Sequence, residues 1–410
     1  MNDNNNILEV KDLCVDFASY GGEYSVIRNA SYTVKKGEVM AIVGESGSGK
    51  SVLTQTTVRL TPGIITNGQI IFDGKEDLAA MTEHRLNEIR GRDISIIFQD
   101  AMTALNPTMR IGDQIIEVLM KHFVFTKAEM HRFADELLEA VGKGDRDAEI
   151  VAWLTEYFRP TGKQMETWTV QIVEALNAAD PKAAIVRWIK EEGNLTKERA
   201  RNAAIDILKM IKIPDPEKRL RQYIFQFSGG MRQRIMVAIA LACRPKLLIA
   251  DEPTTALDVT IKAEVLNMII QLVRELNTSI ILITHDLGIV ASYADRIGVM
   301  YAGEFVETGT SDEIFYNPQH PYTRGLLKSI PRLDTNSEEN LSTIDGTPPN
   351  MAMLPKGCPF HPRCECAMEI CRQQCPSMKE LGQTHSVRCW LQDERAAEVR
   401  KQFGYEEVKA

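Results

Sequence analysis

The amino-acid sequence predicts an α/β fold with a helical subdomain inserted into its core. Strand-sized apolar runs lie at residues 39–43, 94–98, 246–250 and 279–284. Residues 108–213, between the second and third runs, carry charged and apolar residues at helical spacing. Strands on both sides of a helical block indicate an α/β core that is interrupted by the helices.

Composition limits the class of protein. The chain has 410 residues, which suggests about two or three domains. Its net charge of -8 argues against nucleic acid as the default partner. The polar N-terminus predicts no secretion signal, and no apolar run reaches the roughly 18–20 residues that span a bilayer. We therefore expect a protein that is cytosolic or held at a membrane by a partner.

The elements before the helical block follow from local patterns. Residues 7–43 alternate apolar and polar with turn signals between them, which predicts short strands. A helix is expected from Lys50 to about Leu60, and residues 68–74 form a further strand that ends in a turn. The strand at 94–98 ends at Gln99.

A glycine-rich loop follows the first apolar run. It fits the P-loop pattern G-x-x-x-x-G-K-[ST]. Its residues are Gly44, Glu45, Ser46, Gly47, Ser48, Gly49, Lys50 and Ser51. Glycines let backbone N–H groups wrap a phosphate, Lys50 would reach the β- and γ-phosphates, and the Ser51 hydroxyl would bind Mg²⁺. A plain Gly/Ser turn is the alternative, which the preceding strand and the Lys-Ser pair disfavour.

Two further segments suit phosphate chemistry. The run at 246–250 ends at Asp251 and Glu252, where the first carboxylate can hold Mg²⁺ through water and the second can act as general base. Ser228, Gly229 and Gly230 open a helix; Ser228 can cap it and the glycines expose its positive end. An acidic turn and an ordinary helix start are the alternatives. Two phosphate sites on one triphosphate would require two chains to face each other.

The helical block contains two similar segments. One begins at Thr126 and the other at Thr196, as if the helices at about 127–195 had been inserted between two similar ends. The intervening part carries Trp153, Trp168 and Trp188, so we expect it to fold against other residues. Chance similarity between two amphipathic helices remains an equal alternative.

Together these motifs resemble the ATP-binding subunits of ABC transporters over residues 7–310. Residues 44–51 match the Walker A motif, Gln99 matches the Q-loop and residues 227–231 match the signature. Asp251 matches the Walker B motif, and Glu252 matches the catalytic glutamate that follows it. Residues 255–258, which end at Asp258, match the D-loop, and His285 matches the switch histidine. The resemblance implies a P-loop core with an antiparallel β subdomain and a helical subdomain at about 100–245, within an ATP-binding domain at 1–330.

The resemblance also implies roles and partners. ATP would lie between the Walker A motif of one chain and the signature of a second, identical or homologous ATPase subunit. Gln99 would bind Mg²⁺ and sense the membrane subunits, and His285 would contact the γ-phosphate. Phe17 lies where the family stacks an aromatic ring on adenine, and Tyr20 is the runner-up. The other partners would be two permease subunits and, indirectly, a solute-binding protein, with no nucleic acid.

The chain is similar to the oligopeptide/dipeptide importer branch at residues 104–107, 227–234, 317–323 and 357–364. It departs from that branch in the block at about 127–195 and in Ile224-Phe225, where the branch usually carries Pro-His. The implied function is ATP hydrolysis that drives peptide uptake. The implied location of the chain is the cytoplasmic face of the plasma membrane, as a peripheral subunit. Import of nickel or another small solute, and a non-transport ABC ATPase, are the alternatives.

Residues 331–410 are expected to form a linker and a cysteine-rich C-terminal region. Six of the eight cysteines lie within 358–389, while Cys14 and Cys243 suit a core. The positions that match iron–sulfur ligands in the branch are Cys358, Cys364, Cys371 and Cys389; Cys366 and Cys375 are additional. The resemblance implies a 4Fe-4S cluster. Zinc and unligated thiols remain alternatives.

Overall fold

The computed structural model describes residues 5–19, 22–99, 101–160, 162–254, 258–329 and 344–405. The described residues form two compact units. The core unit takes those within Met1–Arg90, Ile94–Asp100 and Lys246–Ala410. The helical unit takes those within Gly91–Asp93 and Ala101–Pro245. Among the described residues, no helix combines the length and apolar character that crossing a membrane requires.

All of the strands found among the described residues lie in the core unit. In chain order they are β1 Asn6–Ser19, β2 Gly22–Lys35, β3 Val39–Val43, β4 Ile64–Phe72, β5 Glu76–Asp77, β6 Ile94–Ile97, β7 Leu247–Asp251, β8 Ser279–Ile283, β9 Arg296–Tyr301, β10 Glu304–Thr310, β11 Lys379–Glu380 and β12 Ser386–Val387. They form two sheets, one with the order β2-β1-β4-β5 and one with the order β11-β12-β10-β9-β3-β8-β7-β6.

The four-stranded sheet is antiparallel throughout, which confirms the predicted antiparallel β subdomain. The prediction of short strands was wrong for its first two members, because β1 and β2 are 14 residues each. Their register shifts between Val10 and Leu13, and Asp12 and Asn29 have φ values of 46° and 48°. Bulges of this kind interrupt the two-residue alternation, so one long strand looks like two short ones in the sequence.

The eight-stranded sheet is parallel from β9 through β3, β8 and β7 to β6. Strands β10, β12 and β11 extend it in antiparallel fashion. Every residue of β3, β7 and β8 is buried, which explains why these strands appear in the sequence as continuous apolar runs. The C-terminal region therefore contributes two strands to the same sheet that carries the P-loop.

The α-helices, in chain order, are α1 Lys50–Thr57, α2 Glu83–Ile89, α3 Ala101–Ala104, α4 Ile111–Phe123, α5 Lys127–Val141, α6 Arg146–Tyr157, α7 Gly162–Leu176, α8 Pro181–Trp188, α9 Lys197–Met210, α10 Pro216–Arg219, α11 Gly229–Leu241, α12 Val259–Glu275, α13 Leu287–Tyr293, α14 Ser311–Tyr316, α15 Pro321–Lys328, α16 Glu369–Gln373 and α17 Ala397–Gln402. A π-helical turn, Ile189–Gly193, follows α8. Short 3-10 turns lie at Ile224–Gln226, His361–Arg363, Trp390–Gln392 and Glu394–Ala396.

Helix α1 ends earlier than the sequence predicts. Arg59 adopts a left-handed conformation with φ of 53°, and the Leu60 N–H donates to the carbonyl of Gln55 at 2.9 Å. A left-handed residue closed by a backbone bond of this type terminates a helix. The expected extension to Leu60 was therefore wrong by three residues.

The helical unit packs around an aromatic cluster. The cluster consists of Phe125, Phe133, Trp153, Tyr157, Phe158, Trp168 and Trp188. The Trp153 indole N–H donates to the Phe133 carbonyl at 2.9 Å, and the ring of Phe158 meets those of Trp168 and Trp188 edge-on. This confirms the expectation that the tryptophan-bearing segment folds against other residues.

The two similar segments begin helices with the same chemistry. Thr126 caps α5 and Thr196 caps α9, and each hydroxyl accepts a backbone hydrogen bond from the third residue of its helix. At Thr126 the Glu129 side chain also returns to the cap, which completes a capping box.

Candidate nucleotide-binding site

The ends of four parallel strands bring most of the predicted nucleotide-site residues of the core unit to one edge of the sheet. The P-loop follows β3, Gln99 lies two residues after β6, Asp251 ends β7, and His285 lies two residues after β8. Because parallel strands share a direction, their carboxyl ends meet at one edge, which is where ligands bind in open α/β sheets.

The P-loop conformation depends on its glycines. Gly44, Gly47 and Gly49 have φ values of 152°, 78° and 99°. A Cβ atom at Gly44 would lie 2.2 Å from the carbonyl oxygen of Met300, so the neighbouring β9 leaves no room for a side chain. Helix α1 begins directly after Gly49, and its amino end therefore opens into the loop.

Lys50 lies inside the loop. Its Nζ donates to the carbonyl oxygens of Gly44 and Glu45 at 2.9 and 2.8 Å and to the Ser48 hydroxyl at 3.3 Å. Burial lowers the pKa of Lys50, and the carboxylates of Glu252, Asp251 and Glu45 oppose that effect. The ammonium is thus surrounded by acceptors that the oxygens of a phosphate could replace.

Ser51 and Asp251 form a pair of oxygen ligands. The Ser51 hydroxyl donates to Asp251 Oδ1 at 2.9 Å, and Gln55 Nε2 donates to Oδ2 at 3.4 Å. The Asp251 carboxyl is buried, and this burial raises its pKa. A hydroxyl and a carboxylate on one side of a P-loop fit Mg²⁺, which prefers oxygen ligands and keeps several of its waters.

Glu252 is the point where three predicted residues meet. Its Oε2 accepts a hydrogen bond from Gln99 Nε2 at 3.1 Å, and its Oε1 lies 3.5 Å from His285 Nδ1. The side-chain amide of Gln99, which was predicted to bind Mg²⁺, is thus hydrogen-bonded to Glu252 in this structure. The Glu252 backbone has φ of 44°, and its N–H donates to the Ile283 carbonyl at 3.0 Å. A left-handed non-glycine residue at a strand end is typical of functional sites.

The signature-like residues belong to the helical unit. Ser228 occupies the N-cap position of α11, with Gly229 and Gly230 in its first turn, but the expected capping bond from the Ser228 side chain is absent. Arg232 Nε instead donates to the carbonyl of Phe227 at 2.8 Å and to that of Ile224 at 3.1 Å, which holds the segment before the helix. Ser228 and Gly229 are exposed.

Two further predicted residues lie elsewhere in the core unit. Phe17 is half-buried in β1 and packs beside Tyr24, with ring centroids 6.3 Å apart. Asp258 is exposed at the N-cap position of α12. Tyr20 and the other D-loop residues, 255–257, lie outside the described residues.

Comparison with known proteins decides the family. The family model described as ABC transporter matches residues 27–255, more than half of the chain. The chain belongs to the ABC transporter family. A second model, described as oligopeptide/dipeptide transporter, C-terminal region, matches residues 306–371 of this ABC ATPase. Both levels of the resemblance predicted from the sequence are therefore confirmed.

Curated relatives match this ABC ATPase over nearly its full length. The oligopeptide transport ATP-binding protein OppD of Bacillus subtilis (strain 168) is 44% identical over 388 residues, which cover 94% of this chain and 88% of the relative. The dipeptide transport ATP-binding protein DppD of the same strain is 43% identical over 95% of this chain and 96% of the relative.

A solved structure shows the fold. It is the dimeric post-hydrolysis state of the ATP-binding cassette MJ0796 bound to ADP and Pi. The two chains superpose with a TM-score of 0.50 at 20% sequence identity, and the match covers 74% of this chain and 98% of the MJ0796 chain. Membership of the ABC transporter family implies ATP and Mg²⁺ as ligands in general.

The cysteine-rich region of this ABC ATPase forms a thiol pocket. Five cysteines line it, and they include all four predicted iron–sulfur ligands: Cys358, Cys364, Cys366, Cys371 and Cys389. Cys375 is exposed. Burial raises the pKa of the Cys358 thiol to about 12. Within the described part of the chain, no group of three or more His, Cys, Asp or Glu side chains is arranged to hold a metal ion.

Sequence reasoning missed two residues that contact the P-loop. Tyr322 Oη accepts a hydrogen bond from the Glu45 N–H at 2.8 Å, and Arg363 pairs with the Glu45 carboxylate at 2.6 Å. They lie in the motifs at 317–323 and 357–364, which indicated the branch and the cysteine ligands but no contact with the P-loop. Their contacts join residues 277 and 318 positions apart, so no local pattern could have revealed them.

Proposed function

We propose that this chain is the ATP-hydrolysing subunit that powers an importer of oligopeptides or dipeptides across the cytoplasmic membrane. The observation that carries the proposal is the meeting of Gln99 and His285 at the Glu252 carboxylate, at the sheet edge that carries the Ser51–Asp251 pair. The near full-length similarity to OppD and DppD supports peptides as the imported solute.

The chain's own groups suit the steps of hydrolysis. Lys50 would exchange its loop acceptors for the β- and γ-phosphate oxygens, and backbone N–H groups of the loop would surround the same anion. Ser51 and Asp251 would hold Mg²⁺, which neutralises phosphate charge when it is bound. Glu252 would accept the proton of the attacking water, while His285 would donate to the γ-phosphate.

The remaining roles require a second subunit. Ser228, Gly229 and Gly230 of one ATPase subunit would close the ATP site of another, identical or homologous, because they lie at the amino end of α11, where backbone N–H groups suit a second phosphate contact. Asp258 would lie at that junction, and Phe17 would stack on adenine. The ATP-binding domain would span 1–330, with its helical subdomain at about 100–245, and residues 331–410 would form the linker and C-terminal region.

The role in an importer implies further partner proteins. Two permease subunits would receive the closing motion of the ATPase pair through Gln99, and a solute-binding protein would deliver the peptide. The chain would then lie at the cytoplasmic face of the plasma membrane as a peripheral subunit.

We further propose a 4Fe-4S cluster in the thiol pocket. Thiolate sulfur is the ligand that such clusters take, and Cys358, Cys364, Cys371 and Cys389 share one pocket. The test is the iron content and visible absorbance of the anaerobically purified chain. A Cys364→Ser variant should lose both signals and Cys375→Ser should keep them. Absence of iron from the unmodified chain refutes the cluster.

The transport proposal is tested in proteoliposomes. The chain is purified with its permease subunits and partner ATPase, and uptake of labelled peptides is measured with the solute-binding protein present. We expect ATP-dependent peptide uptake that Lys50→Ala abolishes. If ATP is hydrolysed but nickel, and no peptide, accumulates, the solute class is wrong. If the chain hydrolyses ATP without assembling on any permease, the importer role is wrong.

A further inference from the structure

Glu45, the second residue of the P-loop, is held by residues far along the chain. Arg363 pairs with its carboxylate through two parallel contacts, Nη1 to Oε2 at 2.6 Å and Nη2 to Oε1 at 2.9 Å. Its backbone N–H donates to Tyr322 Oη at 2.8 Å. The Arg363 side chain is 6% exposed and that of Glu45 is 24% exposed. A bidentate pair of this kind fixes both orientation and distance.

The guanidinium of Arg363 is itself fixed. Its Nε donates to the Asp345 carbonyl at 2.9 Å, and Nη2 lies 3.4 Å from the Ile344 carbonyl. Nη1 lies 3.4 Å from Tyr301 Oη, and the guanidinium carbon is 5.9 Å from the centre of that ring. Arg363 therefore approaches Glu45 from an anchored position.

The aromatic residues beside this ion pair form a small packed group. The ring centroids of Tyr301 and Tyr322 are 4.6 Å apart, and Phe360 lies 5.2 and 5.3 Å from them. Phe360 precedes the 3-10 turn His361–Arg363, so the turn that presents Arg363 is packed against the residue that bonds the Glu45 N–H.

Charge explains why Glu45 needs a partner. Its carbonyl accepts from Lys50 Nζ at 2.8 Å, which places the residue within the loop that would surround the triphosphate. An unpaired carboxylate there would repel the phosphates through a partly desolvated medium, where charges are weakly screened. Arg363 neutralises the carboxylate and keeps it against the C-terminal region.

We propose that Arg363 is a positioning residue for ATP binding, acting through Glu45. The C-terminal region thus contributes to the nucleotide site of its own chain. The inference rests on the proposed ATP site and adds to it a residue that lies outside the nucleotide-binding motifs.

The test compares Mg·ATP affinity in four full-length chains: unmodified, Arg363→Gln, Glu45→Gln and the double variant. Arg363→Gln leaves the Glu45 charge unpaired, so its Kd should rise about tenfold, a change that corresponds to roughly 1.4 kcal/mol. Removing the Glu45 charge as well should restore the Kd to within about threefold of the unmodified chain, because the two sites are energetically coupled.

Arg395→Gln is the matched control. Arg395 forms an exposed pair with Asp393 in the same C-terminal region, so its loss should leave the Kd unchanged. A structural role for Arg363 alone would predict weak binding in the double variant too, because its bonds to the carbonyls of Ile344 and Asp345 are lost in both. A double variant as weak as the single one, or an unchanged Arg363→Gln, overturns the inference. Failure of the unmodified chain to bind Mg·ATP instead refutes the proposed function.

Discussion

Replacing Glu252 by glutamine changes the proposed general base while it preserves the shape of the side chain. The amide oxygen of the new residue can still accept from Gln99 Nε2, which now lies 3.1 Å from Oε2. The amide nitrogen would face His285, whose Nδ1 is 3.5 Å from Oε1. The substitution therefore removes the proton acceptor and one negative charge but leaves the packing of the strand ends in place.

The expected magnitude follows from these contacts. General-base catalysis contributes about 10²–10⁴-fold, so kcat should fall by that factor. Glu252 is the largest favourable charge acting on the Lys50 ammonium, and it also raises the pKa of Asp251 beyond the effect of burial. Removing it lessens repulsion toward the triphosphate, so we expect ATP binding to be retained or tightened.

The assay is phosphate release at saturating Mg·ATP, with nucleotide affinity measured on the same samples. Glu139→Gln is the control, because Glu139 is exposed on α5 and pairs with Lys143 one helical turn away. Hydrolysis by Glu252→Gln at more than about a tenth of the unmodified rate, with binding intact, would refute its role as the base.

Three further predictions concern the helical unit. Trp153→Ala should lower the free energy of unfolding of the helical unit by about 3–5 kcal/mol, measured by denaturant unfolding, because Trp153 is 5% exposed within the aromatic cluster. A smaller loss would contradict that packing. Thr126→Ala should cost about 1 kcal/mol by removing the cap of α5, whereas Thr126→Ser should largely retain it. Burial, then Lys121, Arg92 and Arg159, lowers the pKa of His122 from 6.5 to about 4. As the pH drops, His122 is therefore protonated in the unfolded chain before it is protonated in the folded one, so the free energy of unfolding should fall between pH 6.5 and 4. This fall should be less steep in His122→Gln. Equal slopes of unfolding free energy against pH in the two chains would contradict this assignment.

Much of the core unit was accessible from local patterns. The P-loop and the strand runs at 39–43, 246–250 and 279–284 correspond to β3, β7 and β8 and the turns after them. Errors arose where local signals are ambiguous. Bulges within β1 and β2 resemble strand breaks, and the left-handed Arg59 ends α1 three residues before the Pro62-Gly63 pair that marks the stop in the sequence.

The roles of individual residues within a motif were less accessible. The spacing of Gln99, Glu252 and His285 indicates three strand ends, but only the strand order β8-β7-β6 makes those ends neighbours. Similarly, a Ser-Gly-Gly helix start predicts a capping serine, whereas the Ser228 side chain forms no capping bond.

The sequence by itself determined the loop chemistry, since a left-handed turn that must approach a phosphate and a neighbouring strand admits only glycine at positions such as Gly44. It also determined which segments are buried strands, because their apolar runs are continuous. Tertiary structure alone decided that Arg363 reaches Glu45 across 318 positions and that Cys366 joins the four predicted cysteines in one pocket. Such contacts depend on how segments that are distant in the sequence pack against one sheet, and a local sequence pattern does not show which distant segments come into contact.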